Sequence, residues 1–396
     1  MTDRRIYLDN HATTRVDPRV VDAMLPFFTE RYGNAGSTSH WMGWDAQAAV
    51  DEARSSIARL LHASPKEIVF TSGATESNNL AIRGVAERVR RRGNHLVLLA
   101  TEHKSVLDPI AKLARRGFDV SFAPLVPAGE PEAGRFHTDQ IVRLLGENTL
   151  LVTVMLANNE IGVIQKLSEL AAVCRERGIV LHTDATQAVG KIPVDVRALG
   201  VDLMSFSGHK IHGPKGIGAL YVRRSSPPVR IEPQIDGGGQ EFGFRSGTAP
   251  VPLVVGLARA LELCVTEMDQ EAVRQTALRN RLFTGLSSSI PDCDLNGPAL
   301  DLPGCRLPGN LNCSFGGVDG EALMMSMRDL AVSSGSACTS TNPEPSHVLR
   351  ALGVPDDRVR ASLRFGLSRY TTELEIDQAI EIVSDSVRRL RSLIGR

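Results

Sequence analysis

Only seven of the 45 cationic side chains are lysines, so this chain uses arginine almost wherever a plain positive charge is enough. Lys210 closes Ser205-Phe-Ser-Gly-His-Lys210, at the end of a β-rich run and just before the Gly/Pro turns that reach Gly216. An amine condenses with an aldehyde once burial or nearby positive charge lowers its pKa from about 10.4, whereas a guanidinium cannot. Two other segments end β-rich runs with residues of suitable chemistry. Phe70-Thr-Ser-Gly-Ala-Thr-Glu-Ser77 offers backbone N–H groups and a Thr hydroxyl at a helix start, an anion site. An N-cap by Ser72 or Thr75 explains the same letters. Leu181-His-Thr-Asp-Ala-Thr-Gln187 sets Asp184 at a strand end, where a buried carboxylate needs a cationic partner such as a ring nitrogen. A helix N-cap is the alternative reading there. Phosphate site, ring-nitrogen acid and imine-forming lysine, in that order, specify pyridoxal 5′-phosphate (PLP). A fourth segment, Ala331-Val-Ser-Ser-Gly-Ser-Ala-Cys-Thr-Ser-Thr-Asn342, surrounds Cys338 with small polar residues. That composition suits a nucleophilic thiol near such a site, or an idle surface cysteine.

The elements that must position these residues alternate between about Glu67 and Val222, as βαβ units of a mostly parallel sheet do. Strands are expected over Glu67–Phe70, His95–Ala100, Leu150–Leu156, Ile179–Thr183, Asp202–Phe206 and Gly218–Val222. Ligands of such sheets sit beyond the carboxyl ends of the strands. One long helical segment is expected from Pro252 to Ser289. A smaller α+β unit follows, with strands near Leu311–Phe315, Leu330–Ser333 and Ala361–Phe365. Thr372-x-x-Glu375 reads as a capping box for a final helix, whose stripe of Ile376, Ala379, Ile380, Val383, Val387, Leu390 and Ile394 is core packing.

Composition narrows the classes. With 396 residues, 42% hydrophobic, 23% charged and 45 acidic against 45 basic groups, the chain reads as an ordinary soluble protein of about two domains. Zero net charge gives nucleic acid no basic field to bind. Runs such as Leu150–Ala157 fall short of the roughly 20 apolar residues of a membrane span. Six cysteines without a CxxC pair suit a reducing compartment and offer no resident metal site, so a cytoplasmic location is expected.

Further blocks decide between the open readings. Tyr7-Leu-Asp-Asn-His-Ala-Thr-Thr14, Thr101-Glu-His103, Asn158-Asn-Glu-Ile-Gly162, Asp184-Ala-Thr-Gln187, Arg245-Ser-Gly-Thr248 and Ser333-Ser-Gly-Ser-Ala-Cys-Thr-Ser340 join the segments above in one order. Together they closely resemble the NifS/IscS family of cysteine desulfurases, and the Cys338 segment resembles its long-loop class rather than the short-loop SufS-like class. The resemblance implies an α/β, aspartate-aminotransferase-like PLP-dependent transferase fold. Its large domain, residues 15–260, carries a mostly parallel seven-stranded sheet, and residues 1–14 with 261–396 form a smaller α+β domain bearing a mobile Cys338 loop. It also implies a homodimer with the active site at the subunit interface. Lys210 would carry PLP as an imine, Asp184 would pair with the pyridine nitrogen and Gln187 with the ring hydroxyl. Ala74, Thr75, Ser207, His209 and Thr248 from the partner subunit would hold the phosphate. His103 would stack on the ring and shuttle protons. Asn34, Asn159 and Arg364 would bind the substrate, L-cysteine, with Arg364 on its carboxylate. Cys338 would take the sulfur as a persulfide, leaving L-alanine, and pass it toward iron–sulfur cluster assembly or tRNA thiolation. The chain stops at Arg396 without the tail that relatives extend toward an IscU-like scaffold, so both that scaffold and another acceptor protein remain open. A selenocysteine lyase, or another PLP-dependent lyase or aminotransferase of this fold, is the alternative.

Overall fold

The computed structural model describes residues 5–89, 92–334 and 345–394. Its strands are β1 Ile6–Tyr7, β2 Ile68–Thr71, β3 His95–Leu99, β4 Asp119–Ala123, β5 Thr149–Thr153, β6 Val180–Asp184, β7 Leu203–Ser207, β8 Gly218–Val222, β9 Cys293–Leu295, β10 Asn310–Phe315, β11 Leu330–Ala331 and β12 Ser362–Gly366. Seven of them form one sheet in the order β2-β8-β7-β6-β5-β3-β4. β8 runs antiparallel to both of its neighbours, and the other pairings are parallel.

Both faces of this sheet are covered, which is why its strands read as apolar runs rather than alternating ones. On β3, Val97 and Leu99 join a core with the helices Trp41–Leu60 and Val251–Thr266. Leu96 and Leu98 point the other way, into a core with the helices Ala74–Val89 and Lys104–Ala114. That is the period-two geometry of a strand. A third core gathers Ile6, Leu8, the three-stranded sheet β12-β10-β9 and the helices Met268–Ser289 and Glu373–Ile394. The capping box of the last helix forms as read: Glu375 Oε2 accepts from Thr372 N at 2.7 Å, and Thr372 Oγ1 from Glu375 N at 3.2 Å.

Four local expectations need correction. β4 was not foreseen; it is an edge strand whose residues are mostly half-buried or exposed, so Asp119-Val-Ser-Phe-Ala123 lacks an apolar signal. β5 stops at Thr153 rather than Leu156: the Val154 and Leu156 N–H groups still reach β6 carbonyls, but the Met155 N–H goes to the Glu102 carboxyl at 2.6 Å instead of a strand neighbour. The segment Pro252–Ser289 is two helices, not one. The break falls at Glu267, whose carboxylate pairs with Arg19 and Arg369, and there the chain leaves the first core for the third. β11 ends at Ala331 and pairs in parallel with β1, while Ser333 makes a separate bridge to Arg364.

Candidate functional site

The parallel strands end along one rim, and a cleft of about 600 Å³ opens there. This is the size of a pocket for a small cofactor with its substrate. Ten of the residues singled out in the sequence line it: Ala74 and Thr75 after β2, His103 after β3, Asn159 after β5, Asp184 and Gln187 at the end of β6, Ser207, His209 and Lys210 at the end of β7, and Arg364 from β12. Asn34 and Thr248 are exposed and do not line this cleft within one chain. Cys338 lies outside the described residues.

The turn into the helix Ala74–Val89 depends on Gly73, whose φ of 151° is a region that side chains avoid. A Cβ on Gly218 of β8 would come 2.7 Å from the Gly73 Cα, so both positions must stay bare for the turn to lie against the sheet. Backbone N–H groups at this helix start, the Ser207 hydroxyl and the Lys215 ammonium around the same cleft make an anion cradle. His209 belongs to it as a neutral ring. Burial, with Lys210 and Lys215 nearby, pushes it down to about 4.

Asp184 is 4% exposed and has no ion-pair partner among the described residues. Its carboxylate accepts Thr186 N at 2.9 Å and Asn78 Nδ2 at 2.8 Å. It therefore does cap the following turn, but two neutral donors do not balance a buried charge, and a cation in the cleft would. Asn78 also donates to Ser105 Oγ at 2.8 Å, and Ser105 holds His103: its N–H lies 3.1 Å and its hydroxyl 2.8 Å from Nδ1. A backbone N–H only donates, so Nδ1 accepts and the neutral imidazole carries its proton on Nε2. Burial lowers the His103 pKa despite the Asp184 charge, so this neutral form prevails at neutral pH.

Lys210 Nζ lies 2.6 Å from both the His11 and the Ala12 carbonyl oxygens, which hold the amine at the cleft. Gln187 donates Nε2–H to His11 O at 3.0 Å, and its Oε1 receives His11 Nδ1 at 3.0 Å and Lys191 Nζ at 2.6 Å. On the opposite wall Arg364, 4% exposed, gives NH2 to Asp9 Oδ1 at 2.8 Å and to Ser333 Oγ at 3.1 Å. Its Nε is buried without a partner among the described residues, and the guanidinium lines the cleft, where its charge suits an anionic ligand. Two buried carboxylic acids back the cleft. Glu102 is raised well above its usual range by burial, and Glu160, bonded to Ser346 Oγ at 2.5 Å, is raised to about 7 by burial.

Sequence reasoning missed Asn78, Ser105, His11, Lys191 and Asp9. Lys191 carried a signal as one of the scarce lysines, and Asp9 and His11 lie in the Tyr7–Thr14 block that supports the family resemblance, but none of the five was given a role. Among the described residues no cluster of His, Cys, Asp and Glu could hold a metal ion, and no helix is long and apolar enough to cross a membrane.

The sequence profile of the aminotransferase class-V family matches residues 6–379. A cysteine desulfurase IscS of Anaeromyxobacter dehalogenans (strain 2CP-C) is 54% identical over 389 residues, 98% of this chain and 94% of its own. The cysteine desulfurase IscS of Rickettsia rickettsii (strain Iowa) is 48% identical, covering 98% of this chain and 92% of its own. Among solved structures, a NifS-like protein superposes with a TM-score of 0.88 at 37% identity over 98% of this chain and all of its own. SspA in complex with cysteine gives a TM-score of 0.78 at 35% identity over 92% of this chain and 99% of its own. The chain thus belongs to the aminotransferase class-V family and, within it, to the NifS/IscS cysteine desulfurases.

Proposed function

We propose that this protein is a PLP-dependent cysteine desulfurase that converts L-cysteine to L-alanine and holds the sulfur as a persulfide on Cys338. The observation that carries the reading is Asp184: a buried carboxylate without a cationic partner among the described residues, in the same cleft as Lys210. The names of the relatives support the same activity. The residues fit PLP. Asp184 would keep a proton on the pyridine nitrogen, and Gln187 Nε2, whose second N–H no described residue takes, would donate to the ring hydroxyl. Ala74, Thr75, Ser207 and His209 would hold the phosphate, with Lys215 adding charge and Thr248 of the partner subunit completing the cradle in a homodimer. Bound there, PLP supplies an electron sink for the negative charge that develops at the substrate Cα.

Arg364, whose guanidinium lines the cleft, takes the carboxylate of L-cysteine, and Asn159 orients the amino acid, joined by Asn34 only if the subunit interface of a homodimer brings it to the cleft. Lys210 Nζ is held on two carbonyl oxygens, and this amine, in its unprotonated form, removes the Cα proton. His103 works through Nε2. In the neutral ring that atom carries the proton and donates a hydrogen bond toward the substrate. It takes the proton that Cys338 releases from the other neutral tautomer, with the ring proton moved to Nδ1 and the Ser105 hydroxyl accepting there, and the imidazolium so formed returns a proton to the carbon skeleton. A thiol of pKa about 8.5 is only a few per cent ionised at neutral pH and needs such an acceptor. The Cys338 thiolate then attacks the substrate sulfur: the C–S bond breaks, an S–S bond forms, and the carbon skeleton is reprotonated to alanine. The persulfide passes to an acceptor protein in the cytoplasm, for cluster assembly or tRNA thiolation.

Cys338→Ser tests the thiol. The variant should bind PLP with an unchanged visible absorbance band, yet form neither alanine nor, with a reductant present, sulfide. Alanine formation at the parental rate would overturn the assignment.

A further inference from the structure

Gln187 is gripped from three sides, and the chemistry of the three partners fixes which way its amide faces. A carbonyl oxygen only accepts, so the atom 3.0 Å from His11 O is the NH2 nitrogen. The oxygen then faces the other two partners, Lys191 Nζ at 2.6 Å and His11 Nδ1 at 3.0 Å, and both must donate to it. His11 therefore holds its proton on Nδ1 and leaves Nε2 bare. That Nε2 is buried without a partner among the described residues, on a ring only 2% exposed. Leaving a buried polar atom unsatisfied costs about 1–3 kcal/mol, so this imidazole is not a favourable packing choice. Its remaining use is what it does to Gln187.

We propose that His11 and Lys191 are positioning residues that lock the Gln187 carboxamide with its oxygen inward and its second N–H toward the cleft, as a fixed donor to the cofactor's ring hydroxyl. This rests on PLP being the group that the cleft holds. Without Lys191 and His11 the carboxamide loses both donors to its oxygen, can turn over, and can present that oxygen to an anionic ring oxygen instead. The consequence is spectroscopic. A donor on the ring oxygen weakens that oxygen's hold on the proton of the neighbouring cofactor nitrogen, so losing the donor raises the pH at which the visible absorbance band titrates.

The experiment is a pH titration of that band in the PLP-loaded protein, with PLP affinity measured by equilibrium dialysis. Gln187→Met should raise the midpoint by about one pH unit, the size of one lost hydrogen bond, and Lys191→Met, which leaves the His11 donor in place, should raise it by a measurable part of that. The double variant should shift no further than Gln187→Met alone, because both changes remove the same contact. His11→Leu should shift likewise, whereas His11→Asn, which keeps an N–H near the Nδ1 position, should titrate with the parent. Unshifted midpoints, or shifts that add in the double variant, overturn the positioning role. If Lys191→Met does not fold, the His11 pair decides alone. If the parental protein itself binds no PLP and shows no visible band, the reading of the cleft fails instead, and the two failures are distinct.

Discussion

Asp184 is the residue at which the requirements of the fold and of the chemistry diverge, and Asp184→Asn separates them. With a cationic ring nitrogen in the cleft, losing the carboxylate charge removes an attraction of about 4 kcal/mol, taking unit charges about 4 Å apart at an effective dielectric constant near 20. At about 1.4 kcal/mol per factor of ten, PLP affinity or kcat, or the two together, should fall by about three powers of ten. The PLP-free protein should respond quite differently. There the carboxylate is buried against two neutral donors, Thr186 N and Asn78 Nδ2, with no ion-pair partner among the described residues. Its desolvation costs several kcal/mol, whereas its two charge-assisted hydrogen bonds return about 1.5–3 kcal/mol each. The two nearly offset, so the asparagine should leave the stability of the PLP-free protein within about 1–2 kcal/mol of the parent. Equilibrium dialysis with PLP and denaturant unfolding of PLP-free protein measure the two sides. Parental PLP affinity combined with a large loss of PLP-free stability would refute the reasoning, because it would make Asp184 a structural cap and nothing more.

Two further outcomes follow from groups around the cleft. His103→Gln removes the ring that works through Nε2 and should lower kcat for alanine formation by about 10²- to 10⁴-fold, the usual worth of a general acid–base group, with PLP still bound; an unchanged kcat would remove His103 from proton transfer. Glu160 is raised to about 7 by burial, above an unfolded value of 4.5, so the folded state binds the extra proton and stability falls as pH rises between those values. Glu160→Gln, neutral at every pH, should match the parent near pH 4 and exceed it by about 3 kcal/mol above pH 8, as read by denaturant unfolding; a deficit that is the same at both pH values would contradict a titrating Glu160.

How far the site was legible in the sequence depended on what each residue needed in order to have meaning. Asp184 closes β6, while Thr75 and Lys210 follow just after β2 and β7, so order along the chain already placed them on one rim of a mostly parallel sheet. His103 gave no local signal and was found only through the family resemblance; its neighbour Ser105, which sets the tautomer, looks like any helix-start serine. Asn78 lies one turn inside the helix Ala74–Val89 and reads as a surface polar residue until the fold turns it onto Asp184 and Ser105. The β4 edge strand and the break at Glu267 were illegible for a similar reason. One lacks the apolar pattern of a buried strand, and the other is set by contacts with Arg19 and Arg369, far away in sequence.

The least legible part of the site is the segment from Asp9 to Thr14, and the fold assigns it the widest role. Asp9 bonds Arg364 and pairs with Gly366 on the smaller sheet. Two residues later the His11 and Ala12 carbonyls hold Lys210, and the Thr14 N–H and hydroxyl both donate to His209 O. These six residues therefore tie the arginine that would hold the substrate carboxylate to the amine that would act on its Cα. The arginine belongs to β12 of the third core and the amine follows β7 of the main sheet, so each side chain sits on a different packed unit. The contacts that set their separation are largely backbone carbonyls and N–H groups, which every sequence possesses. A motif search sees only the side chains in Tyr7-Leu-Asp-Asn-His-Ala-Thr-Thr14, whereas the spacing of the catalytic groups depends on main-chain atoms that carry no letter of their own.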